Sequence, residues 1–268
     1  MNRHVIQNAQ EFAARWGFLT RDLFYDFLCG MSPTQNYRYW NYLVDEGLFV
    51  QSLASEDVLL LSGKSRRSNF GKSARPSRLP VYVEHDAVVA RFLLTLDRLG
   101  LIARFWLEDE LTRRPVEAYQ ILGAERMHRI PDLIFDLKAA NGFVRCAFEV
   151  EKTTKSQSRY DKIALAYLAY SKVNVILFGC GGRATEAAVR RSFEGRLYVE
   201  RKRVPGIFQY PDFANDGLRA AIRFGSMEYT VEKVLEIATK QSLPAQASKR
   251  ILNEKSISFR IPTDGEAA

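Results

Sequence analysis

Residues 131–151, PDLIFDLKAANGFVRCAFEVE, constrain the fold of this chain more than any other stretch. Two apolar runs flank the polar AANG, a pattern typical of two strands joined by a tight turn, and it predicts a β-hairpin. Glu149 and Glu151 lie two residues apart near the end of the returning strand, so their side chains point to the same face. Two neighbouring carboxylates repel each other unless a basic side chain or a metal ion lies between them.

The segments around this hairpin alternate between helices and strands. The periodicity predicts a helix over residues 82–99, ending at Gly100, and then a strand in LIARFWLE. After the hairpin, SQSRYDKIALAYLAYS predicts a helix, VNVILFG a buried strand, ATEAAVRRSFEG a helix and RLYVER a closing strand. The order α-β-β-β-α-β-α-β indicates a mixed α/β domain, which we place at residues 81–203.

The first 63 residues predict three helices and a hairpin. Residues 5–15 form the first helix, Thr20 is the expected N-cap of the second, and Ser32 is the expected N-cap of the third, which ends at Gly47. LFVQSL and DVLLLS then form two short strands. Three helices and a terminal hairpin make a winged helix-turn-helix domain, a module whose third helix enters the major groove of double-stranded DNA.

The polar residues of the third helix are the candidates for contact with DNA bases, while Trp40 and Leu43 should face inward. The assigned residues are Gln35, Asn36, Arg38 and Tyr39. A winged helix can also serve protein contacts, and the acidic Glu56 and Asp57 in the wing favour that alternative.

Residues 64–80 contain six Lys or Arg and no acidic residue, with Ser, Gly and Pro throughout. This composition predicts a flexible basic linker between two domains. We assign Lys64, Arg66 and Arg67 to contacts with the DNA backbone; the alternative is a solvated loop. The formal net charge of +8 is compatible with a polyanionic partner.

Other global features limit the class of protein. No apolar run approaches the ~20 residues that span a bilayer, and no signal pattern opens the chain, so we expect a soluble cytoplasmic protein without membrane contact. Cys29, Cys146 and Cys180 have no metal-ligand or redox spacing and are expected to be reduced core residues. Residues 204–268 are interpreted as a C-terminal extension that is partly disordered.

Acidic and basic residues converge at the end of the hairpin. Asp132 starts one strand, and Glu149 and Glu151 lie near the end of its partner, so these positions can be neighbours. The next helix carries Lys155, Arg159 and Lys162 near its start. Carboxylates that hold Mg²⁺ or Mn²⁺ beside a lysine are what metal-assisted phosphodiester hydrolysis requires.

The sequence IPD, followed after 16 residues by EVEK, resembles the PD-(D/E)xK nuclease signature. More narrowly, a winged helix followed by EHD, PD and FEVEKTTKSQSRYDKI is similar to the plasmid replication-relaxation family, which is linked to MobC-type relaxases. The resemblance covers roughly residues 10–180. It implies a restriction-endonuclease-like mixed-sheet domain in which Asp132 and Glu149, with Glu151 beside them, bind the metal. It also implies plasmid replication or conjugation proteins as partners.

The chain departs from this signature at the lysine. Counted from Glu149, that position is Glu151, and Lys152 alternates to the opposite strand face. Either the strand bulges, or Lys155 or Lys162 reaches back from the next helix, which we prefer; an inactive site is also compatible with the departure.

Histidine and tyrosine side chains leave further alternatives. His85, on the helix before the sheet, is either a ligand or proton carrier, or a structural helical histidine. Tyr167 is expected to pack in the core, whereas Tyr160 could contact phosphate together with Arg159.

We therefore expect a metal-dependent DNA endonuclease or nickase of a mobile element, active in plasmid mobilisation or replication relaxation. The alternative is a non-catalytic DNA-binding transcription or replication regulator with a degenerate nuclease fold. A double-strand cut requires two active sites and hence a homodimer.

Overall fold

The structure is a computed structural model that describes residues 1–71, 74–124, 129–194 and 204–239. The chain divides into two compact units, with the boundary between Leu94 and Thr95. Among the described residues, none of the helices combines the length and the apolar character needed to cross a membrane.

The first unit contains the three helices and the hairpin that the sequence predicts. Thr20 Oγ1 accepts a hydrogen bond from the Leu23 amide at 3.3 Å, and Ser32 Oγ accepts one from the Gln35 amide at 3.4 Å, which confirms both N-caps. The elements are α1 (Arg3–Trp16), β1 (Leu19–Thr20), α2 (Arg21–Leu23), a π-helical turn (Phe24–Cys29), α3 (Pro33–Asp45), β2 (Phe49–Ser52), β3 (Ser55–Leu61), α4 (Gly63–Asn69) and, as far as Leu94, α5 (Pro80–Arg98).

The sheet of this unit has the order β1-β3-β2 with antiparallel pairing. Strand β1 adds to the predicted hairpin, but with two residues it is too short to be recognised from the sequence. The helices enclose an aromatic core in which Phe12 stacks on Trp16 and Phe24 packs against Trp40. These contacts bury the apolar stripes of α1 and α3 and hold the hairpin against them.

The described parts of the basic stretch, residues 64–71 and 74–80, do not form a flexible linker between the two units but belong to the first unit, so this prediction is wrong. Ser62 caps α4, and the following segment is hydrogen-bonded to the end of α1: the Arg75 amide to the Ala14 carbonyl at 2.7 Å, and the Arg78 amide to the Gly17 carbonyl at 3.0 Å. These bonds anchor the segment within the first unit, because they satisfy carbonyl groups that the last turn of a helix leaves without partners.

The second unit is built on one mixed sheet of seven strands in the order β10-β9-β8-β7-β6-β5-β4. β4, β5 and β6 are antiparallel, β6, β7 and β8 are parallel, and β8, β9 and β10 are antiparallel. The strands are β4 (Ile102–Leu107), β5 (Leu133–Ala139), β6 (Gly142–Glu151), β7 (Val175–Cys180), β8 (Gly206–Gln209), β9 (Ala221–Phe224) and β10 (Met227–Thr230). This arrangement confirms a mixed α/β fold with the predicted central hairpin.

Helices cover the sheet, because strands with apolar side chains on both faces need a layer on each side. They are α6 (Glu108–Arg113), α7 (Pro115–Leu122), α8 (Gln157–Ala169), α9 (Arg183–Phe193) and two later helices at Tyr210–Asp216 and Val231–Thr239, with a 3₁₀ turn at Gly217–Arg219. α7, α8 and α9 share one apolar core with the strands, in which Tyr167 and Phe178 lie edge to face.

Residues 204–239 are not an extension of the second unit, because they supply three strands of its sheet. The last described helix begins at Val231, directly after β10. Three segments lie outside the described residues: the predicted strand RLYVER, the basic RKR at 201–203, and residues 240–268.

Candidate carboxylate site

The pairing of β5 with β6 brings the predicted carboxylates together. Leu133 pairs with Phe148, so one step further Asp132 lies opposite Glu149. Asp132 Oδ2 also accepts a hydrogen bond from the Val150 amide at 2.8 Å. Glu149 and Glu151 are both 0% exposed, since β6 lies between β5 and β7 at the centre of the sheet.

Arg129 neutralises Glu149. Its Nε lies 3.0 Å from Oε1 of the carboxylate and its Nη2 lies 2.7 Å from Oε2, a bidentate arrangement. The Tyr167 hydroxyl donates to the same Oε1 at 2.9 Å. The backbone of Arg129 is held as well, because its carbonyl accepts a hydrogen bond from Tyr170. Sequence reasoning missed Arg129; the available signal was a lone arginine shortly before Asp132, facing carboxylates that need a cation.

Glu151 is less well satisfied than Glu149. Lys155 Nζ lies 2.5 Å from its Oε2, and Arg129 Nη2 lies 4.0 Å from its Oε1. Neither oxygen of the Glu151 carboxylate accepts a hydrogen bond from the described residues. A buried carboxylate oxygen without a donor is costly, and this cost marks Glu151 as an unusual feature of the core.

The protonation of the site follows from its burial. Loss of hydration is the largest effect on Glu149 and raises its pKa, Arg129 lowers it, and the neighbouring Asp132 and Glu151 raise it again, so that the pKa lies above its usual range. Glu149 in turn raises the pKa of Arg129, which keeps the guanidinium charged. Burial, with a further contribution from Glu149, raises the pKa of Tyr167, so its hydroxyl stays a donor.

The loop after β6 positions Lys155. The Tyr160 hydroxyl accepts a hydrogen bond from the Lys155 amide at 3.2 Å and donates to the Thr153 carbonyl at 3.4 Å. On the other side of the loop, the Gly181 amide donates to the Glu151 carbonyl at 2.9 Å, and a Cβ at Gly181 would lie 2.3 Å from the Lys152 carbonyl oxygen. Tyr160 therefore serves the loop from a buried position rather than facing solvent.

The structure places Lys155, one of the lysines proposed for the site, against the Glu151 carboxylate. Lys152 follows the end of β6 and is half-buried, while Lys162 and Arg159 are exposed on α8. Lys155 lies in the loop before α8 rather than at the start of that helix.

The oxygen donors of Asp132, Glu149 and Glu151 suit Mg²⁺ or Mn²⁺, which prefer carboxylates. The oxygens of Glu151, which have ion-pair contacts but accept no hydrogen bond from the described residues, fit a further cation. In the arrangement observed, however, both oxygens of Glu149 are occupied by Arg129 and Tyr167. No group of three or more His, Cys, Asp or Glu side chains in the described ranges is arranged to hold a metal ion. The donor chemistry fits the metal provided that Arg129 leaves Glu149.

His85 belongs to the first unit, whereas the three carboxylates belong to the second. Its Nδ1 lies 3.0 Å from Oδ1 of Asp86, and Asp86 also pairs with Arg78, whose Nε lies 2.6 Å from Oδ2. These contacts give His85 a structural partner. His128 is outside the described residues.

On α3, two of the four predicted DNA-contacting residues face solvent and two do not. Gln35 and Arg38 are exposed. Asn36 and Tyr39 are buried: Asn36 Oδ1 accepts a hydrogen bond from the Met31 amide at 3.1 Å, and the Tyr39 hydroxyl accepts one from the Asn2 amide at 2.6 Å.

The outward placement of Asn36 and Tyr39 is therefore wrong. These two residues share a helical stripe with Trp40 and Leu43, at the spacing of three, four and seven residues that one helix face has. The inward orientation of Trp40 thus already implied theirs.

The basic residues of α4 divide in the same way. Lys64 and Arg67 are exposed, and Arg66 is half-buried, with its Nη2 donating to the Ala74 carbonyl at 3.3 Å. Two of the three predicted backbone-contacting residues are therefore presented to solvent on a helix.

The chain matches no protein-family model, no curated protein and no solved structure. The resemblance to the replication-relaxation family consequently stays a prediction.

Proposed function

We propose that this protein binds double-stranded DNA and hydrolyses one of its phosphodiester bonds with the help of a divalent cation, as a nickase of a mobile element. The observation that carries the proposal is the convergence of Asp132, Glu149 and Glu151, with Lys155 beside them, at one end of the β5–β6 hairpin. A mixed sheet with an antiparallel β4-β5-β6 meander followed by the parallel β7 is compatible with a PD-(D/E)xK nuclease core.

The first unit supports the DNA-binding part of the proposal. Its three helices and hairpin have the order of a winged helix, and α3 presents Gln35 and Arg38 to solvent. On α4, Lys64 and Arg67 add exposed positive charge. Gln and Arg are side chains that read base edges, whereas exposed lysines and arginines neutralise phosphates.

In the second unit, the residues of this chain would bind the cation and orient the reaction. Mg²⁺ or Mn²⁺, when bound, would polarise the phosphate and lower the pKa of a bound water. Asp132, Glu149 and Glu151 would hold the cation. Lys155, which is anchored by Tyr160 and partly exposed, would contact the phosphate or the attacking water.

The ion pairs of the carboxylate site favour a second candidate function. The bidentate Arg129 and the ion-paired Lys155 already balance the carboxylates without a metal. A nuclease-like domain stabilised in this way would make the protein a non-catalytic DNA-binding transcription or replication regulator.

Plasmid nicking separates the two candidates. Supercoiled plasmid is incubated with the protein in Mg²⁺, Mn²⁺ or EDTA, beside Glu151→Gln and the surface control Glu236→Gln. The nickase predicts cation-dependent open-circle DNA that Glu151→Gln abolishes and Glu236→Gln preserves. Linear product would indicate two active sites acting together, as in a homodimer. A mobility shift without any cleavage, unchanged in Glu151→Gln, would support the regulator.

DNA recognition is tested by selecting bound sequences from random duplexes and measuring their affinity against salt. Lys64→Ala and Arg67→Ala should each reduce the slope of log affinity against log salt by about 1 if they contact phosphates. Gln35→Ala should instead relax the selected preference at one base pair. The matched control is Lys233→Ala, an exposed lysine of the second unit. Equal slopes in the unmodified protein, Lys64→Ala, Arg67→Ala and Lys233→Ala would contradict the proposed interface.

A further inference from the structure

We infer that the Arg129 guanidinium occupies the cation position of the carboxylate site, and that a divalent cation binds only by displacing this side chain. Arg129 would thus be an internal competitor that sets the cation concentration at which the site fills. The inference rests on the metal site of the proposed function.

The position of the guanidinium supports this inference. Its two bonds to Glu149 place Nη2 4.0 Å from Oε1 of Glu151. Asp132, directly across the hairpin, acts electrostatically on both partners of this ion pair. Arg129 therefore stands where the negative charge of the three carboxylates converges, which is where a cation would be held most strongly.

Arg129 satisfies the carboxylate site incompletely. The guanidinium saturates Glu149, yet it reaches Oε1 of the 0%-exposed Glu151 only at 4.0 Å, while Oε2 is ion-paired with Lys155; neither oxygen accepts a hydrogen bond from the described residues. A planar guanidinium donates along fixed directions, whereas a metal ion accepts oxygen ligands from several side chains at once. A divalent cation can thus serve Glu149 and Glu151 together, which Arg129 does not.

A second buried ion pair in the same unit shows what a fully satisfied arginine looks like. Arg145 donates to both oxygens of Asp136 from Nε and Nη2, and its Nη1 donates to the Ile121 carbonyl at 2.6 Å. Its side chain is 9% exposed and lies over the Trp106 ring. The Arg129 side chain is 24% exposed. It can rotate towards solvent while Tyr170 keeps its backbone carbonyl in place.

The charge balance of the site also supports the inference. In formal charges, three carboxylates face two cationic side chains, Arg129 and Lys155. Exchanging the single charge of Arg129 for a divalent ion leaves the site neutral, whereas adding a divalent ion beside Arg129 would give an excess of positive charge. Displacement is therefore favoured over simultaneous occupancy.

The experiment is isothermal titration calorimetry with Mn²⁺ on the full chain. Arg129→Ala should bind Mn²⁺ at least about tenfold more tightly than the unmodified protein, and Arg129→Lys should lie between them. The double variant Arg129→Ala, Glu151→Gln should lose the gain. Unchanged affinity in Arg129→Ala, or a gain that survives Glu151→Gln, would overturn the inference.

The unmodified protein provides a measurement that does not depend on the folding of a variant. The ¹⁵N–Hε resonance of Arg129, assigned through its correlations to the backbone of the unmodified protein, should shift on titration with Mg²⁺ as the guanidinium leaves Glu149. A resonance unaffected by saturating Mg²⁺ would refute displacement.

Nicking assays on the same proteins distinguish failure of the inference from failure of the proposed function. Tighter Mn²⁺ binding by Arg129→Ala without cleavage by any protein would retain the displacement and reject the nickase. Cation-dependent nicking with equal Mn²⁺ affinities would retain the nickase and reject the displacement.

Discussion

Replacement of Asp136 by Asn tests whether the third buried carboxylate of the hairpin, beside Glu149 and Glu151, is purely structural. Asp136 lies on β5 and is 0% exposed. Arg145 Nε donates to its Oδ1 at 2.8 Å and Arg145 Nη2 to its Oδ2 at 2.9 Å, while Arg104 Nη2 donates to Oδ2 at 2.9 Å. The substitution keeps the volume and removes the negative charge, so the two guanidinium groups lose their shared partner.

The loss of stability caused by Asp136→Asn depends on whether each arginine can find another partner for its charge. The side chain of Arg104 is 55% exposed and returns to water at little cost, whereas that of Arg145 is 9% exposed and stays buried with its charge. Breaking a buried ion pair on one side costs about 3–5 kcal/mol. At roughly 2–4 °C per kcal/mol, Tm of the second unit should fall by about 6–20 °C.

The assay is thermal unfolding followed by ¹⁹F NMR after incorporation of 5-fluorotryptophan. Trp106 is the one tryptophan of the three in the second unit, so its resonance reports that unit separately. The control is Glu236→Ala, which removes an exposed ion pair with Lys233 and should change stability by less than about 1 kcal/mol. A loss in Asp136→Asn as small as that of the control would refute the reasoning, and so would loss of metal binding in the folded variant.

Three further predictions follow from backbone and burial. Gly17→Ala should destabilise the first unit more than Gly30→Ala does, as measured by urea unfolding. Both glycines have a positive φ, which strains an alanine by about 1–2 kcal/mol. At Gly17, unlike Gly30, the new Cβ would also lie 2.5 Å from a carbonyl oxygen. Tyr167→Phe should lower the free energy of unfolding by about 1.5–3 kcal/mol, because Glu149 loses a buried donor, whereas Tyr119→Phe at the surface should change it little. Burial raises the pKa of Cys29 from 9.0 to about 11, so the stability carried by its protonated thiol is complete below pH 9.0 and lost as the pH rises through 11. The rate of alkylation of Cys29 in the native protein should therefore keep rising between pH 9.0 and about pH 11. A rate that levels off at pH 9.0 would contradict this prediction.

Local signals in the sequence determined most of the secondary structure around the site. The caps at Thr20 and Ser32, the AANG turn and the apolar alternation of β5 and β6 act within a few residues of themselves, so they can be read without knowing the rest of the fold. The hairpin also fixed that Asp132 would lie near Glu149, since the register of two strands follows from the turn that joins them. The two-residue β1 carries too little alternation to be recognised.

The tertiary structure alone decided what faces the carboxylates. The sequence posed the alternative of a basic side chain or a metal ion beside Glu149 and Glu151, and the fold brings Arg129 from the segment before β5 and Tyr167 from α8 to the same carboxylate. It likewise turned the basic stretch after α4 back onto the end of α1. These contacts depend on which distant segments meet in the core. A buried charge or carbonyl needs a hydrogen-bond partner, and the fold determines which residue is close enough to provide it, whatever its distance along the chain.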